Sequence, residues 1–146
     1  MTAENGYALA PSYENGQTVE TYGGGICQVA TGCYQAALKA NMEITVRAPH
    51  MFMVTYCAGG LDATVYWGSQ DFCFRNNSTM PIRMNASVSG GQVHISIDGS
   101  NFTGQYVKLS SKSVGTRAYR ATKTIYNADG SVYATEDLGV STYKAH

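Results

Sequence analysis

The chain has 146 residues, with ten basic and ten acidic side chains, so its formal net charge is zero and only 14% of its residues are charged. This balance gives no electrostatic footprint for nucleic acid or for an anionic membrane, and we expect neither as a partner. The length suits one domain, or one domain with a small appendage, and is enough for a hydrophobic core. No run of about twenty apolar residues is present, so we expect no membrane insertion by this chain.

The N-terminal 22 residues are predicted to be loop, with one short strand at residues 17–19. Asn-Gly pairs at residues 5–6 and 15–16 are turn signals, and Pro11 would break a helix between them. This region is therefore not expected to carry much regular structure.

A glycine triplet at residues 23–25 precedes the one segment with a clear helical period. The apolar stripe recurs every three to four residues, at Ile26, Val29, Ala30, Cys33 and Ala37. We predict a helix over residues 27–40, ended by Asn41, because asparagine tolerates the left-handed backbone found at helix C-termini. Cys27 would lie in or beside the first turn, where unpaired N–H groups and the helix dipole favour a thiolate over a thiol.

After this helix the hydrophobic period changes to two, which predicts β-strands. The predicted strands are residues 43–47, 52–56, 63–67, 72–75, 81–88 and 93–97. The third and fourth of these are predicted to form one hairpin, and the fifth and sixth another about residues 89–91. One main helix packed on an antiparallel β meander is an α+β fold, and we expect it to occupy residues 1–103.

From residue 104 onward, short segments alternate apolar or aromatic side chains with Lys, Arg, Ser and Thr. Strands are predicted at residues 106–109, 116–126 and 131–135, with a turn at 127–130 whose glycine supplies positive φ. Strands that are polar on both faces bury little apolar surface. We therefore expect residues 104–146 to be a β-ribbon appendage that packs on the main domain or projects from it.

An ordered set of short motifs runs from the glycine triplet into the predicted meander. It begins with GGGICQV at residues 23–29 and continues with Arg47, Pro49-His50, residues 61–65 and residues 71–77. Over roughly residues 5–100 this set resembles the VanW domain, a family named for a vancomycin-resistance gene cluster in Gram-positive bacteria. The end of the ribbon, at residues 141–144, is similar to the ribbon segments that follow VanW domains, including the G5 module.

The VanW resemblance implies an extracellular or cell-envelope location in the parent protein, with cell-wall peptidoglycan or its stem peptide as the partner. Sixteen glycines and eleven tyrosines, among many Ser, Thr and Asn, are also typical of an extracellular β-rich protein. VanW-like domains usually belong to longer exported proteins. The start of this chain is polar and acidic, without a signal peptide, so we expect the domain to be N-terminally truncated here.

Cys27, His50 and Asp62 stand in the order of nucleophile, base and orienting acceptor. A cysteine nucleophile needs a base that takes its proton, and the base needs an acceptor for its other nitrogen. A Cys at a helix start, followed by His and Asp near two strand starts, is also the order in transglutaminase-like and papain-like enzymes. We predict a Cys–His thiol enzyme of peptidase, amidase or transpeptidase type acting on peptidoglycan amides, with Gln28 or a local backbone N–H holding the oxyanion.

Three further residues are predicted to bind substrate: Gly24, Gly25 and Tyr56. The glycines are chosen because a residue without Cβ lets another group approach the backbone closely. Trp67 is assigned to the core, the usual environment of tryptophan, and an aromatic surface for sugars or peptides is the alternative.

Each predicted catalytic residue also has a structural interpretation. Cys27 would be a buried residue of a packed helix, His50 would satisfy a loop carbonyl, and Asp62 would cap the turn at Gly59-Gly60. The corresponding function is a non-catalytic module that binds peptidoglycan. The two hypotheses differ in where the Cys27 sulfur lies, either beside the His50 ring or buried and far from it.

No metal or cofactor is expected from the cysteine pattern. The four cysteines lack C-x-x-C spacing, so a zinc site of the usual kind is not predicted. Cys33, Cys57 and Cys73 are interpreted as small buried hydrophobes, with a Cys57–Cys73 disulfide between predicted strands as the alternative.

Overall fold

The computed structural model describes residues 1–14, 17–100 and 103–145. Within these ranges the chain forms one α-helix and four antiparallel sheets, so the α+β class predicted from the sequence is confirmed. In chain order, a 3₁₀ helix at Ala3–Asn5 is followed by β1 Leu9–Glu14, β2 Gln17–Tyr22, α1 Ile26–Lys39, β3 Glu43–Val46, β4 Cys73–Arg75, β5 Arg83–Ser89, β6 Gln92–Asp98, β7 Tyr106–Gly115, β8 Ala118–Tyr126 and β9 Val132–Thr142. The turn predicted at residues 15–16 lies outside the described residues.

The N-terminal segment is a β-hairpin rather than the loop with one short strand that the sequence predicted. β1 and β2 pair antiparallel, with Leu9 opposite Tyr22 and Pro11 opposite Glu20. Pro11 has no N–H to donate, but each strand of a two-stranded hairpin has a free edge where that loss is tolerated. Most described side chains of this hairpin are exposed, so the sequence carries little apolar alternation from which the strands could be predicted.

α1 follows the hairpin directly, and the helix predicted at residues 27–40 is confirmed within one residue at each end. Gly25 is its N-cap and has φ 86°, in the left-handed region that glycine adopts without penalty. Gly24 is needed for a different reason, since a Cβ on it would lie 2.3 Å from the Ala10 carbonyl oxygen of β1. Asn41, just beyond the helix, has φ 55°, in agreement with the predicted helix end.

The predicted meander forms only in part. The hairpin predicted at residues 81–88 and 93–97 is confirmed as β5–β6. The strands predicted at residues 52–56 and 63–67 are wrong, because in the described chain these segments carry only isolated bridges, at Phe52 and Tyr66. The hairpin predicted between residues 63–67 and 72–75 does not form, and β4 pairs with β3 instead.

β7, β8 and β9 form a three-stranded antiparallel sheet in that spatial order, packed on the main domain. β7 and β9 are longer than predicted, and the predicted turn is present, with Gly130 at φ 85°. One cluster of buried side chains joins α1, the segment after residue 58 and β8, and consists of Tyr34, Leu38, Leu61, Ala63 and Ala121. Leu109 of β7 and Leu138 of β9 pack against it. Residues on both sides of position 103 therefore build the same core.

Candidate functional site

The candidate site is built around residues 59–64, an irregular segment that is buried throughout. Backbone N–H and C=O groups buried outside a sheet must be paired by other means. From α1, the Thr31 hydroxyl donates to the Ala63 carbonyl at 3.1 Å and accepts from the Ala63 N–H at 3.0 Å. Gln35 Nε2 donates to the Leu61 carbonyl at 3.0 Å. Side chains of the helix thus pair backbone groups that a neighbouring strand would otherwise pair.

Sheet β7–β9 contributes further partners to the same segment. Ser111 Oγ donates to the Gly59 carbonyl, and the Tyr143 hydroxyl oxygen accepts from the Gly60 N–H at 2.6 Å. Gly59 is required here because a Cβ on it would lie 2.5 Å from the Tyr119 ring. Contacts from the helix and from the sheet therefore fix residues 59–64, although this segment joins no ladder of its own.

Asp62 is the centre of the site, with 0% of its surface exposed. Its Oδ2 accepts from the His50 backbone N–H at 2.7 Å and lies 2.8 Å from His50 Nδ1. Its Oδ1 accepts from Arg47 Nη2 at 3.1 Å and from the Tyr143 hydroxyl. Burial alone raises the pKa of the carboxyl, but the His50 and Tyr143 hydrogen bonds and the Arg47 charge lower that pKa to about 2. Asp62 is therefore a carboxylate at neutral pH, and its contacts are not those of a cap on the adjacent glycine turn.

His50 lies in the loop after β3, and Asp62 fixes its orientation. Because Nδ1 is directed at the carboxylate, Nε2 faces away from it, 3.2 Å from the Tyr56 hydroxyl. Burial lowers the pKa of the imidazole, whereas hydrogen bonds to Asp62 and Cys27 raise that pKa to about 9. The ring is thus held as an imidazolium through the neutral range.

Cys27 is the second residue of α1 and is half-buried. Its Sγ lies 3.3 Å from Thr64 Oγ1 and 3.5 Å from the Val65 carbonyl oxygen. Burial raises the pKa of the thiol, but hydrogen bonds to His50 and Thr64 lower that pKa to about 7. A thiol of pKa about 7 beside an imidazole of pKa about 9 forms a thiolate–imidazolium pair between those values.

The first turn of α1 leaves one backbone donor next to the sulfur. The N–H groups of Ile26, Gln28 and Val29 donate to the carbonyls of Gly23 and Gly25, whereas that of Cys27 has no partner among the described residues. The Gln28 side chain is exposed and, within the described ranges, makes no hydrogen bond. The Cys27 N–H and the Gln28 amide are therefore both free to bind an oxygen atom.

The predicted substrate-binding residues occupy different environments. Gly24 packs against Ala10 of β1, so its lack of a side chain is already explained by the fold. A Cβ on Gly25 would meet nothing within 4 Å, so the backbone beside the first helical turn borders open space. Tyr56 contacts the imidazole of His50 directly. Their part in substrate binding stays a prediction.

Three residues that complete the site were not predicted as site residues: Arg47, Thr64 and Tyr143. The Arg47 guanidinium donates to the carboxylate and the carbonyl of Asp62 and to the Ser141 hydroxyl. The signal for Arg47 in the sequence was its position in the motif set. A guanidinium can make several contacts at once, since it offers five donors in a fixed fork. No sequence pattern links Tyr143 with Asp62, which is 81 positions away.

The other three cysteines are free, so no disulfide joins Cys57 to Cys73. They are half-buried rather than fully buried as predicted. Burial raises the pKa of Cys33, and burial together with the Asp62 charge raises that of Cys57 to about 11. No group of three or more metal-ligating side chains occurs in the part of the chain that the structure describes.

The prediction that Trp67 is a core residue is wrong, because 88% of its surface is exposed. Trp67 follows Tyr66, which is 62% exposed, in a turn closed by hydrogen bonds between Tyr66 and Gln70. The residue before this turn is Val65, whose carbonyl oxygen lies 3.5 Å from the Cys27 sulfur. Two exposed aromatic side chains therefore follow directly on the backbone that contacts the thiol.

This fold and geometry define an α+β domain in which a buried carboxylate orients an imidazole beside a thiol at a helix N-terminus. Residues 1–98 match the family model described as VanW like protein. The chain belongs to this VanW-like family, as the motif set predicted.

The comparison with curated proteins gives a relative in Bacillus subtilis (strain 168), named uncharacterized protein YoaR, which is 39% identical over 100 residues. The alignment covers 68% of this chain and 33% of YoaR, so the chain spans about a third of the length of that relative. No solved structure matches the chain at a significant level. Within the described ranges, no helix is both long enough and apolar enough to cross a membrane.

Proposed function

We propose that this chain is a thiol-dependent acyl-transfer domain of the cell envelope that acts on amide bonds of peptidoglycan. The observation that carries the proposal is the 2.8 Å contact by which Asp62 orients His50, together with the electrostatic effect of His50 on the Cys27 thiol. Burial raises the pKa of Cys27, yet His50 and Thr64 bring it down to about 7, so the reactive thiolate is populated at neutral pH. The envelope location and the choice of peptidoglycan rest on the VanW-like family and on the composition of the chain.

The reaction begins when the Cys27 thiolate attacks the carbonyl carbon of the amide and charge moves onto the carbonyl oxygen. The His50 imidazolium then gives its Nε2 proton to the leaving nitrogen, the C–N bond breaks, and a thioester on Cys27 remains. Water, in hydrolysis, or an amine, in transpeptidation, attacks the thioester and passes a proton to His50. The sulfur leaves as a thiolate, which restores the starting pair.

Two donors are available to hold the charged oxygen. The Cys27 N–H has no partner among the described residues, and the Gln28 side chain next to it is exposed and unbonded there. Both belong to the first turn of α1, where the helix dipole also favours negative charge. Removal of a donor of this kind costs about a hundredfold to a thousandfold in turnover in other enzymes.

Tyr56 occupies the place at which the leaving nitrogen would receive its proton. Its hydroxyl lies 3.2 Å from His50 Nε2, and burial, the largest influence, raises the pKa of this phenol, so it remains an O–H group. A bound amide would take over the contact with Nε2, and the freed hydroxyl would face the substrate. This is the basis for keeping Tyr56 as a substrate-binding residue.

The test is incubation of the full chain with purified cell wall, followed by mass spectrometry of the released or newly joined peptides. Wild type should break or remake an amide bond, and Cys27→Ala should not. Cys33→Ala is the matched control, because Cys33 is a half-buried thiol on the same helix, and it should behave as wild type. Equal product formation by Cys27→Ala and wild type would overturn the proposal.

A second candidate, a non-catalytic peptidoglycan-binding module, is favoured by the exposure of Trp67 and Tyr66, at 88% and 62%. Exposed aromatic rings are amphipathic contact surfaces rather than core residues. A pull-down with purified cell wall distinguishes this function from the first. If binding is the whole function, Cys27→Ala is retained as well as wild type while Trp67→Ala is lost, and no product forms in any sample.

A further inference from the structure

Tyr143 links sheet β7–β9 to the candidate site through its hydroxyl. This group accepts from the Gly60 N–H at 2.6 Å and donates to Asp62 Oδ1. The side chain is 4% exposed, and its ring packs edge-on against Tyr119 with 6.2 Å between centroids. Asp62 Oδ1 receives no contact from His50, which binds Oδ2, so Tyr143 acts on the side of the carboxylate away from the imidazole.

Ser141, on β9, supports the same carboxylate through Arg47. The Ser141 hydroxyl accepts from Arg47 Nη1 at 2.9 Å, while Arg47 Nη2 donates to Asp62 Oδ1 at 3.1 Å. Arg47 therefore reaches Asp62 from a position that β9 helps to set. Both Ser141 and Tyr143 lie beyond residues 1–98, the part of the chain that the family model matches.

We propose that β9 and the residue directly after it position the Asp62 carboxylate, with Tyr143 as a positioning residue that fixes Asp62 directly and Ser141 as one that fixes it through Arg47. The residues that build the site then extend to Tyr143, just beyond β9, and do not end with the family-matched segment. This inference rests on the proposed function, because it assigns Asp62 the task of orienting His50 toward Cys27.

The contacts determine what loss of the Tyr143 hydroxyl would do. Tyr143→Phe keeps the ring against Tyr119 but removes the donor to Oδ1 and the acceptor of the Gly60 N–H. Only the Arg47 contact would then hold Oδ1, so the carboxylate could rotate and the imidazole would lose part of its orientation. The His50 contact that stabilises the Cys27 thiolate would weaken as a result.

The experiment measures the pH dependence of Cys27 alkylation by iodoacetamide in the full chain, resolved by peptide mass spectrometry. The titratable and charged groups that surround the Cys27–His50 pair and Asp62 are Tyr34, Arg47, Tyr56, Cys57 and Tyr143, and the variant changes only the last. Tyr143→Phe should raise the midpoint of the pH dependence of Cys27 alkylation by about one pH unit. At pH 7 this slows the alkylation of Cys27 roughly fivefold.

Tyr133→Phe is the matched control, because Tyr133 lies on β9, the strand that Tyr143 directly follows, but is 65% exposed, and the variant should alkylate as wild type does. The rate of Cys33 alkylation in the same samples reports any general destabilisation of α1. A shifted midpoint at Cys27 with an unchanged rate at Cys33 supports positioning. A lowered thermal midpoint with no change in the alkylation profile would show that Tyr143 is only structural and would overturn the inference.

The failure of this inference can be told apart from the failure of the proposed function. If wild-type Cys27 alkylates with the same midpoint as Cys33, the proposed function fails whatever Tyr143 does. If wild type has the low midpoint and Tyr143→Phe shares it, the inference fails and the proposed function stands. If Tyr143→Phe does not fold, Ser141→Ala decides, since an unchanged midpoint in that variant also contradicts positioning by β9.

Discussion

Residues 1–98 and sheet β7–β9 contribute to the site in different ways. The first region supplies Cys27 and His50, the residues proposed to touch a substrate. The second, with Tyr143 directly after β9, supplies hydroxyl groups that contact Asp62 and Arg47 on the side away from His50, together with side chains of the shared core. The difference teaches that the reactive residues of this domain can be found from a motif, whereas the residues that support them lie in a different part of the chain.

The strongest test of this comparison is removal of the second region. A chain of residues 1–103 would expose Leu38, Leu61 and Ala63, which are at most 7% exposed in the whole protein, and would leave buried backbone groups near Gly59 without partners. We expect it to show no cooperative unfolding transition, because such domains are stable by only roughly 5–15 kcal/mol and the truncation removes part of the shared core. Thermal melts followed by circular dichroism, with the full chain alongside, give the measurement.

The opposite outcome of that experiment is equally informative. A cooperative transition in residues 1–103, with the helix content of the full chain, would mean that the predicted division at position 103 separates two independent domains. The sheet would then be an appendage, as the sequence predicted, and its contacts with Asp62 would be accessory.

Asp62→Asn should have the next largest effect, because it removes the charge that both regions contact. Arg47, whose side chain is 14% exposed, would lose its counter-ion, and His50 would lose the carboxylate that orients it. We expect the free energy of unfolding to fall by about 3 kcal/mol and turnover to fall roughly a thousandfold or more. Urea unfolding and the cell-wall assay measure the two effects.

The matched control for that variant is Asp98→Asn, an exposed aspartate on β6. The free energy of unfolding of this variant should stay within about 0.5 kcal/mol of the wild-type value, the usual range for surface substitutions. If the two variants are destabilised equally, Asp62 is not the point at which the two regions meet.

His50→Gln isolates the contribution of the family-matched region. The pKa of Cys27, raised by burial but brought to about 7 by His50 and Thr64, should return toward its ordinary value of 9. Alkylation at pH 7 would then be as much as fiftyfold slower, since about half of the thiol is ionised at its pKa and about one hundredth two units below it. His94→Gln, at an exposed position of β6, is the control, and its Cys27 should alkylate at the wild-type rate.

The sequence predicted the elements whose physics is local. The helix period, the turn at Gly130 and hairpin β5–β6 each depend on residues close together in the chain, and all three are confirmed. The order of Cys27, His50 and Asp62 also identified three side chains that the fold brings together, although their catalytic role stays a prediction.

Long-range contacts account for what the sequence could not predict. Residues 63–67 were predicted to be a strand, but the side chain of Thr31 on the helix pairs the Ala63 backbone and no ladder forms there. Tryptophan is usually a core residue, yet Trp67 lies in an exposed turn. Tyr143 looked like the polar end of a ribbon, because its partner Asp62 is 81 positions away. Local patterns carry no information about such pairs.

The smallest predicted effect is the acid dependence of stability that Asp62 carries. Burial raises its pKa, but hydrogen bonds from His50 and Tyr143 lower it to about 2 from an ordinary value of 3.8. A carboxyl with a lowered pKa stabilises the folded state fully above its unfolded pKa and loses that contribution as the pH falls through the folded value. The difference in unfolding free energy between wild type and Asp62→Asn should therefore shrink by on the order of 2 kcal/mol from about pH 5 to about pH 2.

The other groups of the site cannot produce this acid effect. The pKa of His50, lowered by burial but raised overall by Asp62 to about 9, gives a contribution that is complete below 6.5 and is lost only as the pH rises through 9. The Cys27 thiol is protonated in both states below pH 7, so it does not titrate in this range either. Urea unfolding at several acid pH values measures the difference directly. A gap between wild type and Asp62→Asn that stays constant down to about pH 2 would mean that neither the family-matched region nor β9 stabilises the charged carboxylate.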